Sequence, residues 1–91
     1  MSKYKIVYTK QGLKEKRYAC QAGFQEKIDS LINLLKENPF EDYPPYERLL
    51  GNMKGAYSRR INRQHRLVYM VYEEEKTVKV ISCWTHYENI K

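Results

Sequence analysis

One carboxylate, a run of guanidinium groups and one late imidazole are the side chains of this 91-residue chain best equipped for chemistry. Glu47 follows a stretch stiffened by Pro44-Pro45, Phe40 to Tyr46 (FEDYPPY), and precedes the apolar pair Leu49-Leu50. A carboxylate there is either an ordinary surface glutamate or a partly desolvated group with raised proton affinity, which suits a general base. Arg60 and Arg66 lie in adjacent strand-like runs across a tight turn. Side chains two residues apart share a sheet face, so Ser58, Arg60 and Asn62 point one way and Tyr57, Arg59 and Ile61 the other. Two guanidinium groups on one face of neighbouring strands form a fork for a phosphate, and they serve equally well as cross-strand ion-pair partners. His86 and Tyr87 close the last run. An imidazole donates a proton near neutral pH, and a tyrosine stacks on a base or hydrogen-bonds a phosphate. A histidine near the end of a chain is also often incidental. His65 reads as a turn residue beside Arg66.

The chemistry these groups suit is cleavage of RNA, which carries its own nucleophile in the 2′-hydroxyl. Such a reaction needs a base for the 2′ proton, an acid for the departing 5′ oxygen and cations for the charge growing on phosphorus. No acidic cluster suited to magnesium and no Cys/His spacing suited to zinc is present, so the candidates are of the metal-free kind, with no cofactor. The net charge of +6 is uneven: Lys54, Arg59, Arg60, Arg63 and Arg66 carry +5 of it within thirteen residues that hold no acid. That concentration favours a polyanionic partner, although a solvated basic face with no ligand has the same composition. Of nine tyrosines, Tyr57, Tyr69, Tyr72 and Tyr87 fall beside the basic run. Aromatics interleaved with cations match a surface for single-stranded nucleic acid, while some of them must fill the core of so small a protein.

The elements that have to position these groups follow from periodicity. Tyr4 to Thr9 (YKIVYT) reads as a first strand. Lys10 to Gln21 reads as a helix, and Phe24, Ile28, Leu31, Ile32 and Leu35 recur at the spacing of a second helix that Asn38-Pro39 ends. Gly51 and Gly55 bracket a turn. Ala56 to Asn62, Arg66 to Tyr72 and Thr77 to Trp84 read as three strands of an antiparallel meander, separated by short polar segments. The middle run, LVYMVY, is apolar on both faces, as a central strand is. The order β-α-α-β-β-β predicts an α+β fold with two helices packed on one face of a curved, mainly antiparallel sheet.

At 91 residues the chain reads as one domain, 1–91, with a core that buries roughly 60–65% of the surface its unfolded form exposes. Its hydrophobic content of 42% and charged content of 31% exclude a disordered segment. Cys20 and Cys83 are isolated and read as small buried hydrophobes in a reducing compartment. The start, MSKYKIVYTK, interrupts its apolar residues with lysines, so no signal peptide is read there, and no apolar run approaches a membrane span. A cytoplasmic protein with no membrane partner is expected.

The run Gly55-Ala56-Tyr57-Ser58-Arg59-Arg60-Ile61-Asn62, continued by His65-Arg66-Leu67-Val68-Tyr69, resembles the YoeB/Txe family of RelE-like toxins. The likeness extends to Asn38-Pro39-Phe40-Glu41, to Glu47 before Leu49 and to the late pair His86-Tyr87, and so covers nearly the whole chain in order. The resemblance implies a RelE-like fold and ribosome-dependent cleavage of messenger RNA. It makes Glu47 the general base, Arg66 the group that stabilises the transition state, His86 the general acid and Tyr87 a supporting group. Arg60 becomes a further phosphate contact, and Arg59, Arg63, Lys54 and Arg48 complete the expected RNA-binding set. The partners implied are messenger RNA on the ribosome, with contacts to ribosomal RNA, an antitoxin of the YefM/Axe kind whose tail covers the active site, and a second toxin copy in a homodimer. DNA is implied only indirectly, through the antitoxin. Two features depart from the pattern. Arg48 and Leu50 stand where many members carry a proline and a lysine, which leaves Arg48 to take over a phosphate contact. Glu88 to Lys91 continue beyond the histidine–tyrosine pair. Two other functions remain open on the same fold: a protein-binding inhibitor of DNA gyrase with no cleavage chemistry, and a plain RNA-binding module.

Overall fold

The computed structural model describes residues 3–86, and for residues 84–86 the backbone alone. The first strand, β1 (Lys5–Tyr8), leads directly into the first helix, α1 (Lys10–Ala19). Thr9 is the joint. Its hydroxyl accepts the Gly12 N–H at 2.9 Å, satisfying one of the amides a helix start leaves open, and donates to the Ile81 carbonyl at 3.0 Å. A π-helical turn, Cys20–Phe24, contains Gly23 at φ 96, and this left-handed residue separates α1 from the second helix, α2 (Gln25–Glu37). The first helix therefore stops two residues short of its expected end at Gln21. The stripe expected on α2 is buried as Ile28, Leu31, Ile32 and Leu35.

The sheet has five strands in the order β1-β5-β4-β3-β2. Three are those of the expected meander: β3 (Ala56–Arg60), β4 (His65–Tyr72) and β5 (Thr77–His86), all antiparallel. The first strand lies parallel to β5, as the crossover through the two helices allows. One strand was not expected. Tyr46–Arg48, which reads in the sequence as the end of a loop and its exit, pairs with β3 as the edge strand β2. Its three residues follow directly on Pro44-Pro45, which cannot donate to a ladder but are tolerated where an edge strand begins. The expected α+β class, with its helices on one face of a mainly antiparallel sheet, holds.

Strand ends also moved for a local reason. The Asn62 side chain accepts the N–H groups of Gln64 and His65 at 2.8 and 2.7 Å, so the turn closes early and β3 stops at Arg60. The pairing of β4 with β5 is irregular between Arg66 and Tyr69, where β5 carries extra residues. In that stretch the Cys83 N–H is taken up by Glu15 of α1 at 3.0 Å. Bulges of this kind twist a strand and re-aim its side chains.

The main core lies between helices and sheet: Ala19, the α2 stripe, Ile61, Leu67, Tyr69, Val78, Val80 and Cys83. A smaller cluster of Leu49, Ala56 and Val68, flanked by Met53, Met70 and Ile81, covers the other face. The central strand thus buries alternate residues on both sides, as its composition predicted. Both cysteines are free thiols. Cys83 is fully buried, and burial pushes its thiol up to about 12, while Cys20 is partly exposed rather than buried.

Candidate active site

The ends of β2, β3 and β4 that carry Glu47, Arg60 and Arg66 come together at one corner of the sheet. Arg60 and Arg66 are direct cross-strand partners, and Glu47 faces Ser58, two residues before Arg60. All three therefore project on the same face. Two of them form an ion pair: Arg66 Nη1 donates to Glu47 Oε1 at 3.0 Å. The Arg66 side chain is 15% exposed and that of Glu47 50%. Of the two readings of position 47, the half-exposed side chain matches the ordinary surface glutamate rather than the desolvated one. A three-residue edge strand has a neighbour on one side only, so its side chains stay open to water.

Around this pair lies a cleft of about 490 Å³, walled by Pro44, Pro45, Ile61 and Asn62 and edged by Lys27, Arg60, Arg63 and Arg66. Four cations face one carboxylate. Such a cleft attracts polyanions.

The structure brings some of the expected residues to this site and not others. Glu47, Arg60, Arg63 and Arg66 are there. Backbone pairing sets His86 opposite His65 and Thr85 opposite Arg66, so the chain at position 86 reaches the corner that holds the ion pair. The His86 side chain and the whole of Tyr87 lie outside the described residues.

Arg59 is a correction. Expected among the phosphate contacts, it is instead fully buried on the opposite face of β3 and spends its donors on protein. Its Nε donates to the Tyr69 hydroxyl at 3.1 Å, Nη2 to the carbonyls of Pro39 and Glu41 at 3.0 and 2.8 Å, and Nη1 to the carbonyl of Pro44. No phosphate can reach it. Lys54 sits beyond the opposite end of β3, just before Gly55, and does not line the cleft. Arg48 pairs with Tyr57 rather than Ser58, which turns it to the other face from Glu47, and it too is missing from the cleft wall. Conversely, Lys27 lines the cleft with no signal in the sequence to place it there. It belongs to the exposed face of α2, one residue before the buried Ile28, and only the packing of α2 across the sheet corner makes it a neighbour of Arg60. Nothing in the helical pattern marks it out from Lys36.

A small α+β fold with a parallel first strand and a helical pair on one face of a five-stranded sheet falls in the RelE-like class of bacterial toxins. The chain belongs to the YoeB-like toxins of bacterial type II toxin–antitoxin systems, whose family model matches residues 6–87. Toxin YoeB of Synechocystis sp. is 38% identical over 63 residues, 69% of this chain and 71% of that protein. The YoeB/ParE toxin from Agrobacterium tumefaciens superimposes with a TM-score of 0.83 at 35% identity, over 91% of this chain and 99% of that one. The YoeB dimer from Staphylococcus aureus gives 0.80 at 34% identity, over 94% and 100%. The heterotetrameric YoeB-YefM toxin–antitoxin complex from the same organism gives 0.74 at 33%, over 92% and 98%.

Proposed function

We propose that this toxin is a metal-independent endoribonuclease that cuts messenger RNA on the ribosome in the bacterial cytoplasm. The observation that carries the reading is the Glu47–Arg66 pair at 3.0 Å within a cleft that Lys27, Arg60 and Arg63 make strongly cationic. A carboxylate beside a guanidinium, at a place where a phosphate would be drawn in, meets two of the three demands of 2′-hydroxyl attack. Glu47 takes the 2′ proton as the 2′ oxygen bonds to phosphorus. Arg66, already oriented by Glu47, holds the charge that builds on the phosphoryl oxygens, and Arg60 and Arg63 secure the flanking phosphates. The bond from phosphorus to the 5′ oxygen then breaks, and His86 supplies the proton that oxygen needs, with Tyr87 in support. The ribosome presents the transcript. A YefM-type antitoxin restrains the toxin by binding it in a complex like the YoeB-YefM heterotetramer from Staphylococcus aureus, and the toxin pairs with a second copy of itself, as the YoeB dimer from that organism does.

Removing one acid or base group from such a reaction slows it by roughly 100- to 10,000-fold. Glu47→Gln and His86→Gln should each abolish growth arrest and the new 5′ ends that primer extension detects on transcripts after induction, while co-sedimentation with ribosomes persists. Unchanged transcript ends in both variants would refute the nuclease. DNA breaks without transcript cleavage would instead support gyrase inhibition, and salt-sensitive RNA binding with normal growth a plain RNA-binding module.

A further inference from the structure

We propose that Arg59 is a positioning residue that sets Glu47 by clamping the loop leading into its strand; the inference rests on the nuclease reading only in giving Glu47 a catalytic task. The eight residues 38–45 carry the chain from the end of α2 to β2, and Glu47 is the second residue after them. Arg59 reaches this loop at three points: its start at the Pro39 carbonyl, its middle at the Glu41 carbonyl, and its end at the Pro44 carbonyl. Its backbone pairs with Tyr46, the residue immediately before Glu47.

The guanidinium is also held from its sides. It lies 4.9 Å from the centre of the Tyr46 ring and 6.0 Å from that of Tyr69. The Tyr69 hydroxyl accepts from Arg59 and donates to the Pro39 carbonyl at 2.8 Å, so one phenol locks the donor to its first acceptor. Phe40, Tyr46 and Tyr57 meet one another in tilted and edge-to-face contacts and Tyr57 also meets Tyr69, with centroids 5.3–6.1 Å apart. Among the described residues no carboxylate meets this buried charge; carbonyl dipoles and ring faces do. A buried cation is costly unless its surroundings are fixed around it, so the arrangement resists any other loop path. The proline wall of the cleft and the approach to the edge strand that bears Glu47 are thus tied to the core through this side chain, in addition to the ladder of β2 with β3. An ammonium offers no planar fork and cannot span three carbonyls and a phenol at once, so Arg59→Lys should release the loop while keeping the charge.

A shift of about 1 Å in a reacting group costs on the order of 100-fold in rate. In single-turnover cleavage of ribosome-bound messenger RNA, Arg59→Lys should lower kcat by about that factor and leave KM within about twofold, because Lys27, Arg60 and Arg63 stay in place. In a Glu47→Gln background the same substitution should change the rate by less than about twofold, since the group it positions is already gone. Crystal structures of Arg59→Lys, with and without Glu47→Gln, report the loop directly: the Glu47–Arg66 contact should open beyond 4 Å in the single variant. Tyr69→Phe, which removes one donor and one acceptor from the clamp, should give the same pattern at about tenfold, and it carries the test should Arg59→Lys fail to fold. An unmoved Glu47–Arg66 contact overturns the proposal whatever the activity, as do rate losses that multiply in the double variant. Wild-type cutting by Glu47→Gln would remove the catalytic task from Glu47 and leave the crystallographic result to decide the clamp.

Discussion

Arg59 and Arg60 are neighbours in sequence with opposite fates, and a strand's two-residue alternation is the whole cause. One faces the helices and disappears into a cage of carbonyls and rings; the other faces the cleft. Alternation was readable in the sequence and put the two on different faces correctly. What it could not supply was which face is core, because arginine is expected at the surface on either side. The same cage makes a titration prediction. Burial pushes the Tyr69 phenol from its ordinary 10.0 up to about 12. The folded chain therefore holds this proton more tightly than the unfolded one. The stabilisation is fully present below pH 10 and is lost as pH rises through about 12, a change of at most about 3 kcal/mol. Chemical denaturation of the wild type between pH 9 and 12.5 should show the loss, superposed on that from the Cys83 thiol. Tyr69→Phe should be less stable at pH 8 and lose less across the window; equal slopes would mean the phenol is not buried in solution.

At the scale of elements, helix α2 was legible because its apolar residues recur at helical spacing, and the three meander strands because strand-like runs are parted by short polar segments. The edge strand β2 was not. Its three residues are too few to show alternation, and the prolines before it signal a loop. The close approach of α1 to β5 was equally hidden. A β-carbon added at Gly12 would stand 2.5 Å from the Val80 carbonyl oxygen and 3.2 Å from Thr9 Oγ1. The nearest atom is backbone in the middle of the sheet, held by the Thr9 N–H at 3.0 Å, and cannot yield by rotating a side chain. Helix propensity alone would favour alanine at position 12 by about 1 kcal/mol. Overpacking costs about 1–3 kcal/mol, and here it should win. Gly12→Ala should lower the urea midpoint without changing the slope of the transition, whereas Gly12→Ala at wild-type stability would show that α1 can lift from β5 freely.

Across the whole molecule, the +6 charge is distributed by folding in a way the linear sequence misrepresents. The dense basic window from Lys54 to Arg66 loses Arg59 to the core and Lys54 to the far end of β3, while the cleft gains Lys27 from a helix that sequence spacing places far away. The candidate site was therefore legible in residue type and in its Glu47–Arg66 centre, but its cationic edge was set by packing. That edge makes a quantitative claim. Each phosphate neutralised on a single strand contributes about −0.7 to the slope of log K against log salt. With Arg66 shared with Glu47, three to four contacts give a slope between about −2 and −3 for a short single-stranded RNA. Lys27→Ala should weaken binding and make that slope shallower by about 0.7, as should Arg63→Ala. Lys54→Ala and Arg48→Ala should leave both affinity and slope nearly unchanged, because neither side chain lines the cleft. Titrations of a fluorescent oligonucleotide from 50 to 300 mM salt separate the two groups. If Lys54→Ala alters the slope as much as Lys27→Ala, RNA follows the basic run of the sequence rather than the cleft, and this corner of the sheet is not where the strand is held.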